Sequence, residues 1–134
     1  MQWPGHNFKR IRVKIASGVD LIEIERFQAA VSRHGSRFLE RVFTETELEE
    51  AGKNPASLAA RFAAKEAVAK ALGTGIGPVS WREIEIRRGS ARQPLLSLHG
   101  AAAQLAAELG LTEWSISLSH SQSTAIAVAV AAGD

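Results

Sequence analysis

The segment Arg61-Phe62-Ala63-Ala64-Lys65-Glu66-Ala67-Val68-Ala69-Lys70-Ala71-Leu72 is followed at once by Gly73-Thr74-Gly75. Alanine and leucine favour a helix interior, and glycine is common just past the end of a helix. The segment therefore predicts one long helix, from about Ser57 to Leu72, which Asn54-Pro55 introduces. Its few polar residues are the first candidates for a function.

This helix contains two pairs of charged residues, and the two members of each pair share a face. Arg61 and Lys65 are four residues apart, as are Glu66 and Lys70, and side chains at this spacing are neighbours. The adjacent cations Arg61 and Lys65 destabilise the helix unless an anion lies close. Glu66 could hold a metal ion while Lys70, one turn later, faces a phosphate. An ordinary surface helix with one favourable Glu66–Lys70 pair explains the same spacing, so the alternative stays open.

A second acidic candidate lies near the start of the chain. The alternation of Ile11, Val13 and Ile15 predicts a strand, which places Asp20 where the strand gives way to a helix beginning at about Ile22. Asp20 is then either an N-terminal helix cap or a functional carboxylate. Together with Glu66, it would supply the oxygen ligands that Mg²⁺ takes from protein, the remainder being water and substrate phosphate.

Three segments of the chain form a set, in this order: Gly18-x-Asp20-Leu21-Ile22-Glu23-Ile24-x-Arg26, Arg61-Phe62-Ala63-Ala64-Lys65-Glu66-Ala67-x-x-Lys70-Ala71-x-Gly73-Thr74-Gly75, and Ser117-Leu118-Ser119-His120. The set closely resembles the hallmark segments of holo-acyl-carrier-protein synthases, the small single-domain 4′-phosphopantetheinyl transferases of bacteria. The resemblance runs from about residue 15 to residue 131.

The resemblance implies transfer of 4′-phosphopantetheine from coenzyme A to a serine of apo-acyl carrier protein, with release of 3′,5′-ADP. Asp20 and Glu66 would hold Mg²⁺, with Mn²⁺ as an alternative, and Lys70 would stabilise or protonate the departing phosphate. Arg61 and Lys65 are candidates for binding the coenzyme's phosphates, although one of the two could serve packing or an ion pair instead.

Two further elements are assigned to coenzyme binding. By position alone, Gly73, Thr74 and Gly75 end a helix, whereas phosphate-binding loops precede one; the resemblance adds that their backbone lines the coenzyme cleft. A lone histidine at a strand end is more often structural, but the resemblance makes His120 a binding residue beside the coenzyme, across a subunit boundary.

The first helix is the expected surface for the carrier protein. Arg26, Arg33 and Arg37 fall near one stripe, although His34-Gly35 makes the position of Arg37 uncertain. A basic stripe is often only solvated surface, but acyl carrier proteins are strongly acidic and charge complementarity would steer docking. Phe27 follows the helical spacing of core residues. The resemblance also implies a homotrimer with active sites between subunits.

Composition is that of one ordinary globular domain. The 134 residues are 46% hydrophobic and 22% charged, and the chain has no cysteine, which fits a reducing cytoplasmic interior. There is no signal-peptide pattern and no run of eighteen apolar residues, so no membrane attachment is expected. A net charge of +2 does not argue for nucleic acid. We expect a loose leader with the start of the first strand over residues 1–14, and a single transferase domain over residues 15–134.

Helices grouped before strands predict an α+β fold with a largely antiparallel sheet. The resemblance implies that this sheet curves around the long helix that contains Glu66. Predicted elements include a capping box at Thr44 and Glu47, a strand from Trp81 to Arg87 and a hairpin across Ser121-Gln122-Ser123. One departure from the family is the segment Arg92-Gln93-Pro94, where Gly-Lys-Pro is common.

Three other functions remain open at the level of sequence. The chain could be a different Mg²⁺-dependent phosphotransferase, since only the resemblance supplies coenzyme A. It could be a non-catalytic module that docks acidic partners. It could also bind nucleic acid through the basic leader, which contains Lys9, Arg10 and Arg12.

Overall fold

The structure, a computed structural model, describes residues 13–134, so the predicted leader lies outside the described residues. The chain forms, in order, β1 (Lys14–Glu23), α1 (Ile24–His34), α2 (Ser36–Val42), α3 (Glu45–Ala51), α4 (Pro55–Ala71), a 3₁₀ helix (Trp81–Glu83), β2 (Ile84–Arg88), β3 (Pro94–Leu98), α5 (Gly100–Glu108), β4 (Glu113–His120) and β5 (Thr124–Gly133).

The described strands form two antiparallel sheets. The larger has the order β1-β5-β4, and the smaller is the hairpin of β2 and β3. Helix α4 packs on the inner face of the larger sheet and against β2. The predicted α+β fold built around the long helix is confirmed, with its strands divided between two sheets.

Small side chains allow α4 and the larger sheet to lie unusually close. The inward residues of β5 are alanines, and so is much of the facing surface of α4; the fully buried members are Ala125, Ala127, Ala129 and Ala131 on the strand and Ala63, Ala64 and Ala67 on the helix. On β1, a Cβ added to Gly18 would lie 1.9 Å from the carbonyl oxygen of Ala67. The strand backbone therefore lies directly against the helix backbone.

We expect Gly18→Ala to destabilise the protein by about 2–3 kcal/mol, because the new methyl group can be accommodated only if β1 moves away from α4. The change should also lower activity, since β1 carries Asp20. Chemical denaturation followed by circular dichroism measures the loss. Ser17→Ala, on the exposed side of the same strand, is the control and should leave the free energy of unfolding nearly unchanged.

Two sequence predictions about the first elements are wrong. Asp20 lies inside β1, paired with Ala127, because the ladder with β5 continues to the pair of Glu23 and Thr124. Helix α1 therefore starts at Ile24, and Glu23, not Asp20, occupies its N-cap position. The alternative role of Asp20 as a helix cap is thereby excluded.

An aromatic cluster joins α1 and α2 to α4. The ring of Phe27 lies 5.5 Å from that of Phe62, and Phe62 stacks on Trp81 at 4.6 Å. Phe27 is buried, as its spacing predicts. Trp81 belongs to the 3₁₀ helix and not to a strand, so the predicted strand begins three residues later than expected, at Ile84.

Other predictions of local structure are confirmed. Thr44 and Glu47 form a reciprocal capping box at the start of α3, and β4 and β5 form the expected hairpin. Within residues 13–134, none of the helices has the length and apolar character needed to cross a membrane.

Candidate active site

The three predicted catalytic side chains meet where α4 packs on β1. The ammonium of Lys70 donates to the carbonyl of Val19 at 2.9 Å and to Oδ1 of Asp20 at 3.2 Å. Asp20 and Lys70 are one-fifth and one-half exposed, so the pair is open to solvent. Glu66 lies one turn before Lys70 and is half-buried. Their grouping follows from the close packing at Gly18.

Electrostatics at this point favour an added cation. Burial raises the pKa of Glu66, the negative charge of Asp20 raises it further, and Lys70 opposes both effects. Two carboxylates that repel each other fit a divalent cation, which would relieve the repulsion. The part of the chain that the structure describes has no group of three or more potential ligands. Mg²⁺ does not need one, because it keeps several waters and takes further oxygens from substrate phosphates.

A cleft rich in arginine opens near the N-terminal half of α4. It has a volume of about 280 Å³ and is lined by residues of α4, the β2–β3 hairpin and β4: Asn54, Ser57, Ala60, Arg61, Ile86, Arg87, Arg88, Arg92, Pro94, Leu118 and His120. Among these described residues there are four arginines and no carboxylate. The cleft is therefore suited to an anionic ligand, and it contains both Arg61 and His120 from a single chain.

Arg61 is held firmly on one side of this cleft. Its guanidinium donates to the backbone carbonyl of Glu47 at 2.8 Å and lies 3.7 Å from the carboxylate of Glu50. Burial lowers its pKa, Glu50 and Glu47 act in the opposite direction, and Arg88 adds to the lowering. Arg61 is buried, and these contacts fix the orientation of its guanidinium before an anion enters the cleft.

Lys65 was predicted to bind the coenzyme's phosphates or to serve packing or an ion pair, and its surroundings favour the second role. Its side chain is fully buried, and its ammonium donates to Oε1 of Glu47 at 2.7 Å and to the carbonyls of Trp81 and Ile84 at 3.0 and 2.5 Å. These contacts use all three donors of an ammonium group. Burial lowers the pKa of Lys65, and Glu47 opposes that shift. Lys65 therefore ties α4 to α3 and β2, which was the alternative role left open by the sequence.

The segment Gly73-Thr74-Gly75 ends α4, as its position predicts. The amides of Thr74 and Gly75 both donate to the carbonyl of Ala69, at 3.2 and 3.1 Å. Gly73 and Gly75 have φ values of 83° and 66°, which suit glycine. The segment follows Lys70 closely and lies outside the arginine cleft. Its contact with a coenzyme stays a prediction.

A basic groove is formed by residues of α1 and α2. Its volume is about 620 Å³, and its lining is Ala30, Arg33, His34, Arg37, Phe38 and Arg41. Arg26 lines an adjoining cavity that shares Ala30 and Phe38 with this groove. Arg37 belongs to α2, so the stripe continues across the break at Gly35.

A sequence model of the 4′-phosphopantetheinyl transferase superfamily matches residues 16–129. The chain belongs to this superfamily.

Individual relatives agree with this assignment. A holo-[acyl-carrier-protein] synthase of Herpetosiphon aurantiacus is 53% identical over 126 residues, covering 89% of this chain and 99% of the relative. The crystal structure of Helicobacter pylori holo-[acyl-carrier-protein] synthase in complex with coenzyme A matches with a TM-score of 0.79 and 34% identity, over 86% of this chain and 98% of that one.

A third relative is the holo-(acyl-carrier-protein) synthase of Bacillus anthracis in complex with CoA (3′,5′-ADP). It has a TM-score of 0.75 and 32% identity, over 92% of this chain and all of that one. The prediction that the chain is an enzyme of the holo-acyl-carrier-protein synthase family is confirmed.

Sequence reasoning missed several residues of this transferase's clefts. Arg87, Arg88 and Arg92 join Arg61 in one cleft although they belong to another part of the chain. Arg41 joins Arg33 and Arg37 in the basic groove. The spacing of four residues between Arg33, Arg37 and Arg41 was a signal for the groove, but nothing in the pattern brings the β2–β3 hairpin to α4.

Proposed function

We propose that the protein transfers 4′-phosphopantetheine from coenzyme A to a serine hydroxyl of apo-acyl carrier protein, in a Mg²⁺-dependent reaction. The serine oxygen forms a bond to the phosphorus that carries the pantetheine arm, and the bond from that phosphorus to the adenosine 5′-phosphate oxygen breaks. The leaving group is 3′,5′-ADP, and the serine proton is released. One observation carries the proposal: Asp20 of β1 lies beside Glu66 and Lys70 of α4, the helix that also contributes Arg61 to an arginine-lined cleft.

Asp20 and Glu66 would hold the metal ion, since they are the adjacent carboxylates and the charge of one raises the pKa of the other. A bound Mg²⁺ supplies neutralisation of the charge that develops on the pyrophosphate oxygens. The residues of the chain do the rest of the binding: Arg61 and His120 hold the adenosine-phosphate end, and backbone of the segment Gly73 to Gly75 borders the arm.

Lys70 is the residue placed to meet the leaving phosphate. Its ammonium is half-exposed and is fixed by Asp20 and the carbonyl of Val19. It can therefore donate a hydrogen bond or a proton to the oxygen that becomes the free phosphate of 3′,5′-ADP. Glu66, whose pKa is raised by burial and by Asp20, is a candidate acceptor for the serine proton, with water as the alternative.

The reaction is tested by intact-mass spectrometry of apo-acyl carrier protein incubated with the protein, coenzyme A and Mg²⁺. A mass gain of about 340 Da, one phosphopantetheine by covalent formula, is expected, and EDTA should abolish it. Release of 3′,5′-ADP is followed by chromatography of the same samples. A folded protein that modifies none of several carrier proteins would contradict the proposal.

The basic groove supports the acyl carrier protein as partner. Arg33, Arg37 and Arg41 line one face formed by α1 and α2, and Arg26 lies next to it. A carrier protein of high negative charge complements this surface, which favours fast and specific association. The adjoining cavity that Arg26 lines also contains Leu21 and Glu23 of β1, so the basic surface extends toward the strand that carries Asp20.

We expect Arg33→Glu to raise KM for the carrier protein about tenfold with little change in kcat, because charge reversal turns an attraction into a repulsion before the chemistry starts. KM for coenzyme A should stay the same. Steady-state kinetics at two salt concentrations measure the effect, which should shrink at high salt. Arg82→Glu, at an exposed arginine outside the groove, is the matched control; an equal effect there would contradict a local docking site.

Assembly of several copies of the chain is supported by the outer face of the larger sheet. Its exposed apolar residues are Ile15, Val19, Leu21, Val128 and Val130, with exposed fractions between 36% and 72%. Apolar side chains in such a row are typical of a protein interface. We propose that further copies of the chain cover this face; the number three comes from the family resemblance.

We expect the double variant Val19→Asp/Val128→Asp to dissociate to single chains, because these two residues are directly paired across β1 and β5 and charge would be buried on assembly. Light scattering after gel filtration measures the mass. The wild type and Leu109→Asp, a change of an exposed apolar residue outside the sheet, should both have three times the chain mass. A wild-type mass equal to one chain would contradict the assembly.

A further inference from the structure

The turn between β2 and β3 contains an unexpected backbone conformation. Arg92 has φ 65°, and among residues 13–134 it is the one non-glycine residue with positive φ. The turn is closed by main-chain hydrogen bonds: the amide of Arg92 donates to the carbonyl of Gly89 at 2.9 Å, and the amide of Gly89 donates to the carbonyl of Gln93 at 2.7 Å. The side-chain amide of Gln93 also accepts from the amide of Ala91 at 2.9 Å.

Nothing in this turn requires an arginine side chain. Glycine is the usual residue at a left-handed position in a short hairpin loop, because it has no Cβ to clash with the backbone. A glycine would keep both main-chain hydrogen bonds and remove the strain. Arginine is therefore less stable than glycine would be at this position. A strained residue beside a ligand cleft often has a functional role.

The side chain of Arg92 has such a role available. Arg92 lines the arginine cleft together with Arg61, Arg87, Arg88 and His120. Four arginine residues line this one opening and no acidic residue is part of the described lining, although Glu50 pairs with Arg61 at 3.7 Å. The cleft therefore has an excess of positive charge. Phosphate is the matching ligand, because a guanidinium presents paired donors to two of its oxygens.

The position of the cleft selects one phosphate of coenzyme A. Coenzyme A has a pyrophosphate at the reacting end and a separate phosphate monoester on the ribose 3′ oxygen. Asp20, Glu66 and Lys70 form the end of the site that suits the pyrophosphate. Arg61 precedes Glu66 by five residues of helix, about 7.5 Å at 1.5 Å per residue. The arginine cleft is therefore left for the 3′-phosphate.

We propose that Arg92 is a specificity-determining residue that binds the 3′-phosphate of coenzyme A and so strengthens discrimination against 3′-dephospho-coenzyme A. The inference rests on the proposed function and deepens it. The charge that Arg92 adds to the cleft accounts for an arginine where the turn geometry favours glycine.

The test compares Arg92→Gly, Arg92→Lys and the control Arg82→Ala with the wild type. Isothermal titration calorimetry gives Kd for coenzyme A and for 3′-dephospho-coenzyme A. For Arg92→Gly we expect coenzyme A to bind about tenfold more weakly, with 3′-dephospho-coenzyme A unchanged. Arg92→Lys should recover part of the preference because it restores the charge. Without ligand, Tm of Arg92→Gly should rise by about 3 °C, since the strain is removed.

The rise in Tm together with the lost preference distinguishes a ligand-binding role from a structural one. An Arg92→Gly protein that retains the full wild-type preference for coenzyme A would overturn the inference, and so would an equal loss of affinity for both compounds. A wild-type protein that binds neither compound would overturn the proposed function, and the inference with it. A wild type that binds coenzyme A while Arg92→Gly behaves identically leaves the proposed function intact and removes only the role of Arg92.

Discussion

Replacing Glu66 with glutamine is expected to reduce kcat/KM for phosphopantetheine transfer on the order of 1000-fold, because a carboxylate that holds the metal ion contributes several kcal/mol of transition-state stabilisation. The fold should remain intact, since glutamine has nearly the same shape and Glu66 is only half-buried. Transfer assays with purified carrier protein measure the loss. A Glu66→Gln protein with full activity would exclude Glu66 from metal binding.

Thermal stability gives a second readout that does not depend on turnover. Because burial and Asp20 raise the pKa of Glu66 in the folded protein, the folded state binds this proton more tightly than the unfolded state does. The associated stability is present below the ordinary glutamate pKa of about 4.3 and is lost as pH rises through the raised pKa.

The Glu66→Gln protein lacks this titration. At neutral pH without metal, it should therefore be at least as stable as the wild type. Added Mg²⁺ should raise Tm of the wild type and have a much smaller effect on the variant, since only the wild type keeps both carboxylates. Equal Mg²⁺ effects on the two proteins would contradict the assignment of the metal to Asp20 and Glu66.

Lys65→Met is expected to lower the free energy of unfolding by about 3–5 kcal/mol, because it leaves the fully buried carboxylate of Glu47 without its cation. Tm should fall by roughly 10–20 °C. Glu47 would keep the backbone amides of Thr44 and Ile86 as donors, which do not replace a positive charge. Denaturant titration measures the change, and KM for coenzyme A in the folded fraction should be unaltered.

Lys70→Met is the matched control, one turn and a half further along the same helix. Lys70 is half-exposed and its partner Asp20 is also open to solvent, so this variant should keep its stability and lose activity. The double variant Glu47→Gln/Lys65→Met should recover part of the stability, since the unpaired charge is removed. If Lys65→Met were stable but unable to bind coenzyme A, the structural assignment of Lys65 would be wrong.

The sequence predicted well those features that depend on local pattern. The composition of α4, the capping box at Thr44 and the hairpin before β5 are each set by a few neighbouring residues, and each is confirmed. The grouping of Asp20, Glu66 and Lys70 was expected from the family resemblance, and the contact between Lys70 and Asp20 agrees with it.

Features that depend on distant packing were not predictable in the same way. Helix spacing puts Arg61 and Lys65 on one face, yet Lys65 turns to a carboxylate on α3 while Arg61 lines the cleft. The different roles of Arg61 and Lys65 depend on Glu47, which lies fourteen residues before Arg61 and is brought close only by the tertiary fold. The extension of β1 beyond Asp20 likewise depends on its ladder with β5, a strand from the other end of the chain.

The alanine-lined contact between α4 and the larger sheet also affects conformational entropy at the site. Alanine and glycine have no side-chain rotamers to lose on folding, so this contact is ordered at a small entropic cost even though each residue contributes little hydrophobic surface. It also has no alternative side-chain packing to which it could relax. Asp20 on β1 and Glu66 on α4 are therefore held by a contact with few alternative packing arrangements. The relative position of the two carboxylates is then set before any ligand binds.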